Sequence, residues 1–212
     1  MYDYVKDKAF LKQMRSTCSN LINQLVQLIN NENTLYVEAN LVGSGAKNLE
    51  TQNAKEPIDL DYNLVILETN GLSINDCREI KEYIRKSFNK VLRRNGWGDC
   101  KDSTSALSTE QRHFKEGNKT PFSIDLAIIC EDRTSWYRLI HDKQLRRYYW
   151  NEGQDSKGLL DRVDWLKDNG LWNKVRDAYL DKKNMYLKRG DNNHPSFNCY
   201  IEAVNEVYYA NR

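Results

Sequence analysis

Two aspartates stand one residue apart, Asp59 and Asp61, at the head of the apolar run Leu64-Val65-Ile66-Leu67. A third, Asp125, sits inside a later run, Phe-Ser-Ile-Asp-Leu-Ala-Ile-Ile, at residues 122–129. Residues i and i+2 of a strand share a face. Asp59 and Asp61 therefore face one way, and Leu60, Tyr62, Leu64 and Ile66 the other. In the second run Asp125 shares its face with Ser123, Ala127 and Ile129, opposite Phe122, Ile124, Leu126 and Ile128. If the two strands are neighbours, three carboxylates converge. Like charges held so close are costly unless something neutralises them. A divalent ion does so, and hard oxygen ligands suit Mg2+. Such ions bind nucleotide phosphates, and two can clamp an in-line displacement at phosphorus.

A Gly-Ser turn, Gly43-Ser44, precedes the paired aspartates. Glycine lets the backbone approach an anion closely, and the serine adds a hydroxyl to the outward N–H groups. The order Gly-Ser, then Asp-Leu-Asp in a strand, then a lone Asp in a later strand resembles the nucleotidyltransferase superfamily typified by DNA polymerase beta. The resemblance covers roughly residues 35–130. It implies that Asp59 and Asp61 bind Mg2+ (or Mn2+). Asp125 would complete the second metal site, and accept or position the proton of an attacking hydroxyl. Gly43, Ser44 and Gly45 would cradle the β- and γ-phosphates of a nucleoside triphosphate, ATP among them. Lys143 is the candidate for a phosphate-binding lysine in a helical region after the third aspartate. The reaction implied is attack of an acceptor hydroxyl on the α-phosphate with release of pyrophosphate. One departure stands out: the loop from Ser44 to Asp59 is longer than the common form, and its only cations are Lys47 and Lys55.

Three readings follow. The first is a metal-dependent enzyme moving a nucleoside monophosphate onto a tRNA end, a protein side chain, another nucleotide or a small molecule. The second is a non-catalytic nucleotide-binding or regulatory module on the same fold, paired with a protein partner. The third is an α/β domain of other function. Retention of all three carboxylates favours the first.

The elements that must position these residues can be read from periodicity. Phe10, Leu11, Met14, Cys18, Leu21, Ile22, Leu25, Leu28 and Ile29 recur at helical spacing, predicting one helix over 3–30. Residues 34–42 read as a strand, 45–58 as a polar loop, and 75–94 as a second helix. The second helix buries Cys77, Ile80, Ile84, Phe88, Val91 and Leu92. Its other face carries Lys81, Arg85, Lys86, Lys90, Arg93 and Arg94, either a solvated surface or a phosphate-contacting one. Residues 104–114 and 121–130 predict a hairpin turning at Glu116-Gly117-Asn118-Lys119. After 131, segments 134–150, 158–168, 170–189 and 196–210 read as helices, with Gly170 and Gly190 as breaks. The fold expected is α/β (α+β). A mixed-sheet nucleotidyltransferase core over 1–130 is joined to a C-terminal helical bundle over 131–212 that forms the other wall of a cleft.

Composition narrows the partners. With 32 Lys and Arg against 30 Asp and Glu, the chain lacks the basic excess of a protein that coats long nucleic acid. A nucleotide or small acceptor fits better. Cysteines 18, 77, 100, 130 and 199 form no C-x-x-C pair and read as buried free thiols of a reducing compartment. No apolar run reaches membrane-spanning length and the first ten residues do not resemble a signal peptide, so no membrane association and a cytoplasmic location are expected. Histidines 113, 141 and 194 are too dispersed for zinc. Tyr148, Tyr149 and Trp150 are candidates to stack on a base, with core packing the alternative for at least two of them.

Overall fold

The computed structural model describes residues 1–153, 157–191 and 194–212. In chain order the elements begin with β1 (Tyr2–Tyr4), α1 (Lys8–Glu32), β2 (Leu35–Leu41), α2 (Gly43–Lys47), β3 (Thr51–Asn53) and β4 (Ile58–Thr69). Next come α3 (Cys77–Arg94), β5 (Lys101–Asp102), β6 (Leu107–Ser108), β7 (Phe122–Glu131), β8 (Trp136–Asp142) and β9 (Arg147–Glu152). Helices α4 (Lys157–Asp168), α5 (Trp172–Lys188) and α6 (Ser196–Asn211) follow. The expected α/β class, with a mixed sheet and late helices, is what the chain adopts.

Two compact units share these elements. One holds Asp7–Asn48 and Pro57–Gly153. The other holds Met1–Lys6, Leu49–Glu56 and the described part of Gln154–Arg212. The change of unit late in the chain thus falls after Gly153, not after residue 130.

The first unit is built on a sheet of order β2-β4-β7-β6-β5, with β8 on β7 and β9 on β8. Its two central strands are the aspartate-bearing ones. They run parallel, with Asp61 opposite Asp125 and Asp59 opposite Ser123. Parallel strands are usually covered on both faces and read as apolar runs, as these do. Leu60, Tyr62, Leu64, Ile124, Leu126 and Ile128 are buried on one side. Helix α1 packs there: the Phe10 ring meets Phe122 edge-on at 6.3 Å, and the Ser19 hydroxyl lies 2.8 Å from that of Tyr62. Asp7 caps α1 by accepting the Phe10 N–H at 2.9 Å. That cap starts the helix at Lys8 instead of residue 3 and leaves residues 2–4 free to form β1.

Residues 134–150 are not a helix. They form the antiparallel hairpin of β8 and β9 on the outer edge of β7. Trp136, Tyr137, Ile140, Tyr148, Tyr149 and Trp150 suit a pleated surface. The Asp142 carboxylate also nucleates the turn by accepting the N–H groups of Gln144 and Leu145 at 3.0 and 2.9 Å. The strand expected over 104–114 is reduced to Leu107–Ser108 and one bridge, Arg112 with Phe122.

The second unit is helical, as expected for 158–168, 170–189 and 196–210. Leu166, Val175, Tyr179, Ala203 and Val204 centre its core. The short pair β1–β3 belongs to it, clamped where the Asn184 amide accepts from Tyr2 N–H (2.7 Å) and donates to Tyr2 carbonyl (3.0 Å). The stretch expected as a plain loop over 45–58 therefore contains a strand. All five cysteines are free, and burial pushes the Cys18 and Cys100 thiols up to about 12. No helix among the described residues is long and apolar enough to cross a membrane.

Candidate active site

The parallel register of β4 and β7 places all three aspartates on the sheet face away from α1. Asp59, exposed, accepts a hydrogen bond from the Ser123 hydroxyl directly across the ladder. Asp61 and Asp125 are half-buried side by side. Asp125 stands opposite Ser108 in the antiparallel β6–β7 pair. The three aspartates therefore share one sheet face, with Asp61 and Asp125 in register.

Its electrostatic cost is visible. Burial, then the charges of Asp125 and Asp59, push the Asp61 carboxyl up to about 6, against the opposing pull of Arg138 and Lys47. Burial, and to a lesser extent the Asp59 charge, raise Asp125 too, while the nearby Ser108 hydroxyl opposes the rise.

The Gly-Ser turn is built against the same carboxylates. Val42 N–H donates to the Asp61 carbonyl at 2.8 Å, which pins the turn to β4. Gly43 then takes φ +63°, and a Cβ there would lie 2.3 Å from Asp61 Oδ2. Only glycine meets both demands. Ser44 follows, half-buried, in the short helix α2. Gly45 is different: it is buried and a Cβ there would lie 2.8 Å from the Leu60 side chain, so what it could offer a ligand is its backbone N–H. Lys47 reaches back to donate to the Gly43 carbonyl at 3.2 Å.

Lys143 sits not in a helix but in the exposed turn between β8 and β9. Its charge acts on the ammonium of Lys81. The cations that act on Asp61 are instead Arg138 and Lys47. None of the three aromatic candidates is fully buried. Tyr148 stacks on His141 at 4.0 Å, and Trp150 donates to the Ile74 carbonyl at 2.8 Å. Tyr149 is exposed, with Arg147 over its ring. The basic face of α3 is largely neutralised. Arg85, Lys90 and Arg93 pair with Glu82, Glu32 and Asp99, and Lys81 is buried.

Two residues of this face were not singled out from the sequence. Asn63 continues the aspartate row on β4, and Arg138 lies on β8 opposite Ile129. Asn63 Oδ1 and Arg138 Nε are buried and have no hydrogen-bond partner among the described residues. Asn63 was legible, since it stands two residues beyond Asp61. Arg138 was hidden by the helical reading of its segment.

Among the described residues, no three His, Cys, Asp or Glu side chains form a ready-made metal cage. Mg2+ does not need one. It keeps several waters and binds through one or two carboxylates plus substrate phosphates. Hard oxygen donors that repel each other, as at Asp61 and Asp125, fit that requirement.

No family model and no curated protein matches the chain. Solved structures do. The E. coli MS115-1 CdnC structure with ATP aligns at a TM-score of 0.59 and 14% identity, covering 94% of this chain and 61% of that one. The CdnC:HORMA-deltaN complex of the same source gives 0.60 and 14%, over 94% and 60%. The Elizabethkingia meningoseptica CdnE cyclic dinucleotide synthase with GTP and Apcpp gives 0.57 and 11%, over 88% and 68%. The chain thus spans about three fifths of the length of CdnC. These neighbours have the DNA polymerase beta-like fold of the nucleotidyltransferase superfamily, and this chain has that fold.

The geometry makes two predictions. The first concerns pH. The folded Asp61 carboxyl keeps its proton up to about pH 6, whereas an unfolded one releases it near ~4. Above pH 6 the folded state bears the full cost of the charge; below about 4 neither state is ionised and the term vanishes. Asp61→Asn should therefore raise the melting temperature in EDTA at pH 7.5, and the gap should close on acidification from 6 to 4. A gap that is negative, or flat with pH, would refute it.

The second concerns Gly43. Gly43→Ala should cost about 1–2 kcal/mol for its backbone conformation alone and also displace the Asp61 carboxylate. Gly117→Ala is the control, since its φ is +74° with nothing within 4 Å. Urea melts should show similar losses for the conformational part. Only the Gly43 variant should lose binding of a nucleoside triphosphate with Mg2+.

Proposed function

We propose that this chain is a metal-dependent nucleotidyltransferase that moves a nucleoside monophosphate from a nucleoside triphosphate onto an acceptor hydroxyl, releasing pyrophosphate. The observation that carries the reading is the pairing of Asp61 with Asp125 across parallel strands, with Asp59 on the same face and Gly43 packed against Asp61. A structural surface would not hold two half-buried carboxylates against each other at this cost.

In this reading Asp59 and Asp61 hold the metal ions, with Asp125 joining them at the second site. Bound Mg2+ would supply neutralisation of the triphosphate and of the charge that builds up during transfer. The chain's own residues do the rest. The backbone of Gly43 and Ser44, and the Ser44 hydroxyl, receive the β- and γ-phosphates. Ser123 fixes the Asp59 carboxylate. Asp125 orients the acceptor hydroxyl in line with the α-phosphate and takes its proton. The upward shift of its carboxyl suits a group that must accept one. Arg138 and Lys47 add positive charge beside Asp61. Catalysis is then positioning and charge neutralisation.

For the donor, the neighbours bound to ATP and GTP support a purine nucleoside triphosphate. For the acceptor, likeness to a cyclic dinucleotide synthase and the near-balanced charge of this chain favour another nucleotide over a long RNA.

The test is incubation with Mg2+ and each of the four labelled ribonucleoside triphosphates, singly and in pairs, with total RNA and protein added in parallel. Pyrophosphate release and the destination of label are followed. A labelled nucleotide product supports the reading as stated. Label on RNA or protein keeps the transferase and replaces the acceptor. No release under any condition overturns the enzyme and leaves a nucleotide-binding module, which calorimetry would detect.

A further inference from the structure

A cavity of about 360 Å³ opens at the C-terminal ends of β4 and β7. Its floor includes Ile66 and Cys130, which are partners across the parallel ladder. Asp61 and Asp125 precede them by five residues on the same strands, or about 16 Å at ~3.3 Å per residue. The cavity is therefore separate from the aspartate site.

A bulge makes one wall. Tyr36 pairs with Glu68 and Val37 with Ile66, so Leu67 is an extra residue on β4. Such a residue leaves the ladder and its side chain is re-aimed. Leu67 lines the cavity while remaining 48% exposed. Ile74 and Tyr137 line it too, and both are held in place. Trp150 Nε1 donates to the Ile74 carbonyl at 2.8 Å. The Tyr137 hydroxyl donates to Asp132 Oδ2 at 2.9 Å. Asp132 Oδ1 in turn accepts the N–H groups of Thr134 and Ser135 at 2.7 and 2.8 Å. These walls are fixed before any ligand arrives, as is usual for ligand sites.

The rim is acidic. Glu68, Glu131 and Asp132 all line the cavity, and no lysine, arginine or histidine does so among the described residues. Asp132 is spent on its own turn. Glu68 and Glu131 are exposed, and among the described residues neither has an ion pair or a hydrogen bond. Their negative field reaches the floor. Burial, then the neighbouring Cys77 and the charges of Asp132 and Glu131, push the Cys130 thiol up to about 11.

An apolar floor under an uncompensated acidic rim selects a cation that carries apolar surface of its own. A bare divalent ion fits poorly, because these side chains are not gathered into a metal cage. A guanidinium or ammonium group on a short apolar body meets both demands. The body covers Ile66, Leu67 and Ile74, and the head forms charge-assisted hydrogen bonds to a carboxylate. The volume is at the small end of the ~300–1,000 Å³ typical of ligand sites, so the ligand is small. We propose that this cavity binds a small organic cation, a guanidinium or ammonium on a short apolar body, with Glu68 and Glu131 as its counter-charges. The site does not depend on the transfer activity proposed above.

The probes are phenethylguanidinium and its neutral isostere phenethylurea, titrated into the full chain by calorimetry. The cation should bind about tenfold more tightly, as two exposed ion pairs together can supply. Glu68→Gln combined with Glu131→Gln should bring the two probes to within about twofold of each other. Both positions are exposed, so the fold is not at stake. Location is read from Cys130, the one cysteine of the five that is not buried. Its alkylation by iodoacetamide at pH 9, followed by mass spectrometry, should slow in proportion to occupancy by the cation. Equal affinity for the two probes, binding of neither, a preference that survives the double substitution, or unslowed alkylation at saturation would each overturn the proposal. So would a Cys130 that fails to react in the free protein, since the floor would then be closed to a ligand.

Discussion

Asp61→Ala and Asp125→Ala should each lower pyrophosphate release by about a thousandfold or more, some 4 kcal/mol of barrier. The cause is electrostatic. The register brings these two carboxylates opposite each other with Asp59 alongside, and burial intensifies every interaction they make. In the proposed function, removing either takes away a ligand to the metal ion that would neutralise the triphosphate at the point of transfer. The double variant should be scarcely worse than either single one, because groups acting as a unit are strongly non-additive. A complementary readout is binding. Mg2+ with a nucleoside triphosphate should raise the wild-type melting temperature, and Asp59→Ala with Asp61→Ala should abolish the rise. Variants that keep more than a tenth of the wild-type rate would sink the assignment.

The largest effect on stability should come from Lys81→Met. Methionine fills nearly the same volume but leaves Asp102 without its ammonium and the Ser103 carbonyl without its donor. Breaking a buried pair by deleting one partner costs about 3–5 kcal/mol, a large share of the ~5–15 kcal/mol that holds a domain together. Combining Lys81→Met with Asp102→Leu should recover part of the loss, since removing both partners leaves no orphaned charge. Urea denaturation of the three variants measures this. A Lys81→Met protein as stable as the wild type would mean that the ammonium is not what pins the β5–β6 turn.

The site's centre was legible because strand alternation is strict. Once Asp59, Asp61 and Asp125 each sit in an apolar run, their faces follow, and parallel pairing does the rest. Lys81 was misread as a surface cation, although the signal was present. It stands four residues after Cys77 and three before Ile84, on the buried stripe of α3. A lysine on such a stripe asks for a partner, but Asp102 lies beyond the helix and cannot be identified by spacing. The β8–β9 hairpin was illegible for a different reason. Its residues alternate poorly, since both faces carry aromatic and charged groups, and only pairing to β7 decides in favour of a strand. With that segment read as helix, Lys143 was placed in the wrong kind of element and Arg138 was overlooked. The unit boundary failed similarly. Nothing local reveals that residues 49–56 leave the sheet between the Gly-Ser turn and the aspartate strand.

The parallel pairing of β4 with β7 has a kinetic consequence. Ser123 and Asp59, which meet across it, are 64 residues apart in sequence. Antiparallel β2–β4 needs a far shorter loop to close. Helix α1, β2, the Gly-Ser turn and the first two aspartates can therefore assemble while the third is still far away, and closing the long crossover comes late. A nascent chain would hold only two of the three facing aspartates until that step. In a refolding experiment, nucleotide-dependent protection should accordingly appear with the last phase, after most helical signal has been recovered.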